Sequence, residues 1–115
     1  MRIHANDGIN ADAKTRLQEE GFTITTDHVP QEQLIAFLNA EKVDVLLVRS
    51  ATKARKDLID ACPGLKLIGR GGVGLDNIDV AHAKSKGIPV INTPASSSIS
   101  VAELVMAHLF GLMRN

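Results

Sequence analysis

The chain has 115 residues, 44% apolar and 23% charged, which is enough for one domain with a core. Thirteen Lys and Arg residues balance thirteen Asp and Glu residues, and Phe is the sole aromatic type. That balance excludes the basic footprint of a nucleic-acid or membrane-surface binder, the aromatics are too few for a base-stacking platform, and one cysteine excludes an internal disulfide.

The elements alternate along the chain. Residues 2–5 (RIHA) read as a short strand punctuated by Asp7-Gly8. Ile9, Ala13 and Leu17 recur at helical spacing, and Gly21 closes that helix. Residues 22–26 (FTITT) are β-branched and read as the second strand. Pro30 opens a helix with Leu34, Ile35 and Leu38 on one face. Residues 43–48 (VDVLLV) are mostly apolar, as in a strand buried on both faces. A short helix carries Leu58, Ile59 and Cys62, with the thiol read as a small buried hydrophobe, and Pro63-Gly64 ends it. Residues 65–68 give the fourth strand and 77–86 the fourth helix, with Asp76 as its N-cap and Gly87 as its stop. Residues 89–92 give a fifth strand and 98–114 a last helix.

Strict alternation of five strands and five helices predicts an α/β fold: a flavodoxin-like, doubly wound, five-stranded parallel sheet with helices on both faces. In such sheets ligands sit outside the carboxyl ends of the strands. The last helix is unusual. Val101, Ala102, Leu104, Val105, Met106, Leu109, Leu112 and Met113 fill most of its circumference, leaving Ser100, Glu103, Gly111 and Arg114 on a narrow strip. A helix that is apolar nearly all round is buried on several sides, and one sheet covers only one of them. This predicts either a homodimer through residues 98–115 or a further domain, and the stop at Asn115 without a capping glycine agrees with truncation. No signal-peptide run opens the chain, and residues 101–113 are too short to span a bilayer, so a cytoplasmic protein is expected.

Gly69, Gly71 and Gly74 form G-x-G-x-x-G after a strand and before a helix, the spacing of a dinucleotide fingerprint. Two features of context disagree. The helix starts only after the glycine run, and the following strand ends in Asn92-Thr93 instead of the acid that would bind a ribose. Arg70 suggests another use, since a guanidinium beside glycine backbone donors suits a carboxylate or a phosphate. The third strand ends in Arg49-Ser50. Arg49, Ser50, Arg70 and the backbone of Gly72, Val73 and Gly74 are therefore one candidate anion site; the alternative is that both arginines form surface ion pairs. No metal site is indicated.

VRSATK at 48–53, GRGGVGLDNID at 69–79, GIPVINTP at 87–94 and SVAELVMAHL at 100–109 resemble the D-2-hydroxyacid dehydrogenase family, and VRSATK resembles most its D-3-phosphoglycerate dehydrogenase branch. The resemblance implies an NAD-dependent oxidoreductase of two domains. Residues 1–97 would be the flavodoxin-like substrate-binding domain, and 98–115 the helix crossing to a Rossmann domain that holds most of the NAD. It implies a small anionic 2-hydroxy or 2-keto acid as substrate: 3-phosphoglycerate, oxidised to 3-phosphohydroxypyruvate on the way to serine, for the phosphoglycerate branch. Arg49 and Ser50 would then reach the phosphate or distal end, Arg70 would stand at the pocket wall, and the N–H groups of Val73 and Gly74 would hold the carboxylate. Val73 would touch the nicotinamide end of NAD, Asn92 would lie beside the cleft, and Glu103 would serve helix or domain packing. The family's catalytic His, Glu and Arg match no residue here, and His4, His28, His82 and His108 read as packed or surface residues. These 115 residues alone are expected to be inactive.

Other readings use the same pattern. A glyoxylate or hydroxypyruvate reductase or a D-lactate dehydrogenase would share the motifs. A non-catalytic flavodoxin-like binding module is the alternative from another class. A phosphoacceptor receiver is disfavoured by Arg49, which takes the place of its acceptor Asp, and a flavin carrier by the absence of Trp and Tyr.

Overall fold

The computed structural model describes residues 1–72, 74–93 and 105–111. Strands β1 (Arg2–Ala5), β2 (Thr23–Thr25), β3 (Val45–Val48), β4 (Leu67–Arg70) and β5 (Val90–Asn92) alternate with helices α1 (Ala11–Glu19), α2 (Gln31–Ala40), α3 (Lys56–Ala61) and α4 (Val80–Ser85). The strands form one sheet in the order β2-β1-β3-β4-β5, and every pairing is parallel. This is the flavodoxin-like order expected from the alternation, with its switch point between β1 and β3.

Side-chain alternation along the strands divides the core into two layers. Leu46, Val48 and Ile68 meet Leu34 and Leu38 of α2, Leu58 and Ile59 of α3, and Ala83 of α4. Ile3, Ala5, Val45, Leu47 and Leu67 face the other way, against Ala13 and Leu17 of α1. β3, all four residues of which are buried, serves both layers. Residues 105–111 are helical and lie on the α1 face, with Val105, Met106 and Leu109 buried in that second layer. Over this described stretch the helix is covered on one side only: Ala107, Phe110 and Gly111 are exposed. The expected start of this helix at Ser98, and Glu103 within it, lie outside the described residues.

The helix ends follow local chemistry. Asn10 caps α1 by accepting from the Asp12 N–H at 2.8 Å, and Gly21 (φ +93°) and Gly87 (φ +77°) take the left-handed conformation after α1 and α4. Several expected boundaries move: β2 shortens from 22–26 to Thr23–Thr25, β3 starts at Val45 instead of residue 43, β5 starts at Val90 instead of residue 89, and β4 and α4 shift for visible local reasons. β4 starts at Leu67 rather than Leu65, because the Leu65 N–H turns back to the Cys62 carbonyl at 3.1 Å, and it extends to Arg70. Asp76 does not cap α4. Asp79 does, accepting from the His82 N–H at 3.1 Å, while residues 76–78 are held in a loop by Asn77 and by a bridge between Ala54 and Ile78. Cys62 is buried, its Sγ 4.0 Å from the Ile35 carbonyl, and burial pushes its thiol up.

Candidate functional site

The carboxyl ends of β1, β3, β4 and β5 bring most of the expected site residues together. Register sets Arg70 between Val48 and Asn92. Arg49 and Ser50 follow β3 and are exposed. The glycine loop lies against both arginines. A Cβ on Gly71 would stand 3.8 Å from Arg49 Cγ, one on Gly72 3.4 Å from Arg70 Nε, and one on Gly74 3.4 Å from Arg70 Nη1. Val73 lies outside the described residues.

Arg70 is more engaged than its sequence context suggests. Nη1 donates to Asp76 Oδ1 at 3.0 Å and to Asn77 Oδ1 at 2.8 Å. Its side chain is 15% exposed, whereas that of Asp76 is 93% exposed. Nε is buried and lacks a hydrogen-bond partner among the described residues. Asn77 thus anchors the guanidinium from the interior, and Asp76 pairs with it from the rim, where an ion pair is worth about 0–1 kcal/mol. The Asp76 carboxyl is held below its ordinary value, first by its own backbone N–H and then by Arg70.

Gly69, Gly71 and Gly72 do not form a pyrophosphate cradle. Gly69 sits inside β4, where a Cβ would come within 2.8 Å of Leu47 Cδ2 and 3.3 Å of Ile91 Cγ1. Its glycine serves packing between strands and not a phosphate turn. The N–H of Gly71 donates to the Val48 carbonyl at 2.9 Å, and that of Gly72 to the Arg70 carbonyl and to Thr93 Oγ1, both at 3.1 Å. The backbone donors of Gly71 and Gly72 are therefore already used, and these two residues do not offer theirs to the phosphates of NAD.

A buried polar network fixes the loops around the arginines; its Thr52 and Asn77 lie within the VRSATK and GRGGVGLDNID stretches, where sequence reasoning assigned them no role. The Asp7 carboxylate, 5% exposed, accepts from the Arg49 N–H at 2.7 Å, the Thr52 N–H at 3.0 Å and the Thr52 hydroxyl at 2.6 Å. Burial pushes this carboxyl up, but the three donors outweigh it and hold it below its ordinary value. Asn77 Nδ2 donates to the carbonyls of Arg49 at 2.7 Å and Thr52 at 2.6 Å. Asn6 Nδ2 donates to Thr52 Oγ1 at 2.8 Å, and Asn6 Oδ1 takes the Nε2 proton of His4 at 3.0 Å. That sets the His4 tautomer, and its Nδ1 accepts from the Thr25 hydroxyl at 2.7 Å. His4 is fully buried, and desolvation keeps its pKa below the ordinary value against the Asn6 hydrogen bond. Asp7 and Asn77 were visible in the sequence as polar residues at loop starts. They lie 45 and 25 residues from Thr52, a separation that no local pattern bridges.

Known proteins share both sequence and fold with the chain. A hydroxypyruvate reductase of Thermotoga maritima is 45% identical over 115 residues, covering 99% of this chain and 37% of the relative. A D-3-phosphoglycerate dehydrogenase of Methanocaldococcus jannaschii is 44% identical over 115 residues, covering all of this chain and 22% of the relative. The chain therefore spans well under half the length of these relatives. Among solved structures, a protein of Thermus thermophilus superposes with a TM-score of 0.75 at 27% identity, over 95% of this chain and 35% of the other. An NAD-bound 3-phosphoglycerate dehydrogenase of Entamoeba histolytica superposes with a TM-score of 0.65 at 26% identity, over 82% of this chain and 33% of the other. The catalytic domain of D-isomer specific 2-hydroxyacid dehydrogenases matches residues 3–110, a match that begins inside β1 and runs into the last described helix, and the chain belongs to that family.

Proposed function

We propose that residues 1–97 are the substrate-binding domain of an NAD-dependent D-2-hydroxyacid dehydrogenase whose substrate is 3-phosphoglycerate, oxidised to 3-phosphohydroxypyruvate on the way to serine in the cytoplasm. The observation that carries this reading is the pair of arginines, Arg49 exposed and Arg70 internally anchored, beside one glycine loop. A substrate with a carboxylate at one end and a phosphate at the other needs two cationic or donor-rich points. Arg49 and Ser50 would take the phosphate, and the backbone of Val73 and Gly74 the carboxylate. Arg70 would wall the pocket, exchanging its exposed partner Asp76 for substrate while Asn77 keeps the guanidinium in place. Gly72 and Asn92 complete the wall.

NAD is assigned to a separate domain reached by residues 98–115, with Val73 touching its nicotinamide end. The general base, its carboxylate partner and the carbonyl-polarising cation are assigned to that part as well, so the 115-residue chain alone has no turnover. The exposed Phe110, beside the buried Val105, Met106 and Leu109, supports a helix with a second partner, another domain or a second subunit.

The test is NAD-linked turnover by the protein at native length, with NADH formation from 3-phosphoglycerate, glycerate and D-lactate compared with NADH consumption by hydroxypyruvate. The expected result is a kcat/KM for 3-phosphoglycerate about tenfold or more above the unphosphorylated acids. Arg49→Ala is expected to erase that preference by raising KM for the phosphorylated substrate. A preference for hydroxypyruvate, the substrate in the name of the Thermotoga relative, would move the reading to a reductase. No NAD-linked turnover of any 2-hydroxy or 2-keto acid would overturn it.

A further inference from the structure

We propose that Asp7 is a positioning residue for anion recognition: its buried carboxylate sets the backbone of residues 49–52 so that Arg49 and Ser50 stand at the open edge of the sheet. The proposal rests on the reading of Arg49 as a substrate ligand.

The geometry is a two-sided clamp. Arg49 is held at its N–H by Asp7 Oδ2 and at its carbonyl by Asn77 Nδ2, both at 2.7 Å. Thr52 is held at its N–H and hydroxyl by Asp7, and at its carbonyl by Asn77. The peptide groups flanking Ser50-Ala51 are thus fixed from the β1 side and from the β4 side at once. Asn6 orients the Thr52 hydroxyl by donating to it, which leaves the hydroxyl proton for Asp7.

Asp7 has no Lys or Arg partner among the described residues. The nearest basic side chain, His28, has its Nδ1 4.0 Å away and already 2.9 Å from the Asn6 carbonyl. The carboxylate is therefore devoted to the β3 loop. A buried negative charge at the edge of an anion site also repels the ligand. That repulsion makes the proposal decidable, because charge and positioning predict opposite effects for the same substitution.

Asp7→Asn removes the charge while keeping the size and one acceptor oxygen. In the native-length enzyme, positioning predicts a KM for the anionic substrate raised about tenfold with kcat changed less than about twofold, the scale of losing a hydrogen bond to a charged group. Thr52→Val, which lacks the hydroxyl, should behave similarly, and Thr52→Ser should restore the wild-type KM. In an Arg49→Ala background Asp7→Asn should have a smaller effect on KM, because only Ser50 is left for it to position. A lowered KM in Asp7→Asn would mean that the charge alone matters. An unchanged KM with lower activity would mean a merely structural role. An equal KM effect with and without Arg49 would mean action elsewhere. Each of these overturns the proposal.

Amide hydrogen exchange in the native-length protein without substrate separates this inference from the substrate reading. Exchange at Arg49 and Thr52 is expected to quicken about tenfold in Asp7→Asn while Leu46 is unchanged, whether or not any acid is turned over. Unchanged exchange at both positions would overturn the clamp. If Asp7→Asn does not fold, Thr52→Val and Thr52→Ser provide the same comparison.

Discussion

Gly69 shows what a single hydrogen atom is doing at the centre of this sheet. The space a Cβ would need is occupied by Leu47 Cδ2 at 2.8 Å and Ile91 Cγ1 at 3.3 Å. Gly69→Ala should therefore destabilise the fold by about 1–3 kcal/mol through overpacking, measured by denaturant unfolding. The glycine motif was legible in the sequence, and so was its poor context for a cofactor. The reason was not legible, because Leu47 and Ile91 become neighbours of Gly69 only when β3, β4 and β5 pair. His4 and Asp7 lie three residues apart and titrate in separate windows. Folded His4 stays neutral below the ordinary histidine value of about 6.5, whereas the unfolded chain takes up a proton there. Stability should fall as pH drops below about 6.5, and His4→Gln should remove that slope. Asp7 is opposite in protonation state but alike in direction. Its depressed carboxyl stabilises the fold above the ordinary carboxylate range of about 3.9, and that stabilisation is lost as pH falls through the folded value. Asp7→Asn should flatten the acid limb only. Thermal melts across pH distinguish the two.

Among the elements, α4 is the clearest case of competition between local signals. The sequence pointed to Asp76 as the cap, and the structure uses Asp79. Tertiary contacts decided between them: Asn77 is drawn to the Arg49 and Thr52 carbonyls, which holds the chain out of helical conformation until Val80. Asp79→Ala should cost about 0.5–2 kcal/mol, whereas Asp76→Ala should change stability by less than about 1 kcal/mol, in line with a surface ion pair. Chemical denaturation of both variants checks this. β3 was legible because its apolar run is buried on both faces, β2 because its residues are β-branched, and α1 because its stripe is closed by Gly21. Strand ends were not legible, since Leu65 is as apolar as Leu67 but turns back to Cys62. At the site, sequence spacing pointed to Arg49 and Arg70. It assigned no role to Asp7, nor to Thr52 and Asn77 inside the quoted motifs, because their chemistry is ordinary until topology gathers them.

At the scale of the molecule, the two sheet faces are covered unequally. Three helices cover one face, and α1 with residues 105–111 covers the other. Leu109 is fully buried there. Leu109→Ala should cost about 2–5 kcal/mol, a large part of the roughly 5–15 kcal/mol that holds a domain of this size together. A fall in unfolding midpoint without change at the β3 loop would locate the damage on the α1 face. The loops after β1, β3 and β4 are tied to one another by Asp7 and Asn77, and the segments after β3 and β4 also by the Ala54–Ile78 bridge. An anion bound at that edge, as proposed, would meet loop backbone whose conformational freedom was lost during folding. Association there should carry a small ordering entropy, so that affinity is governed by how well the anion replaces its hydration shell and not by how much chain it must still arrange.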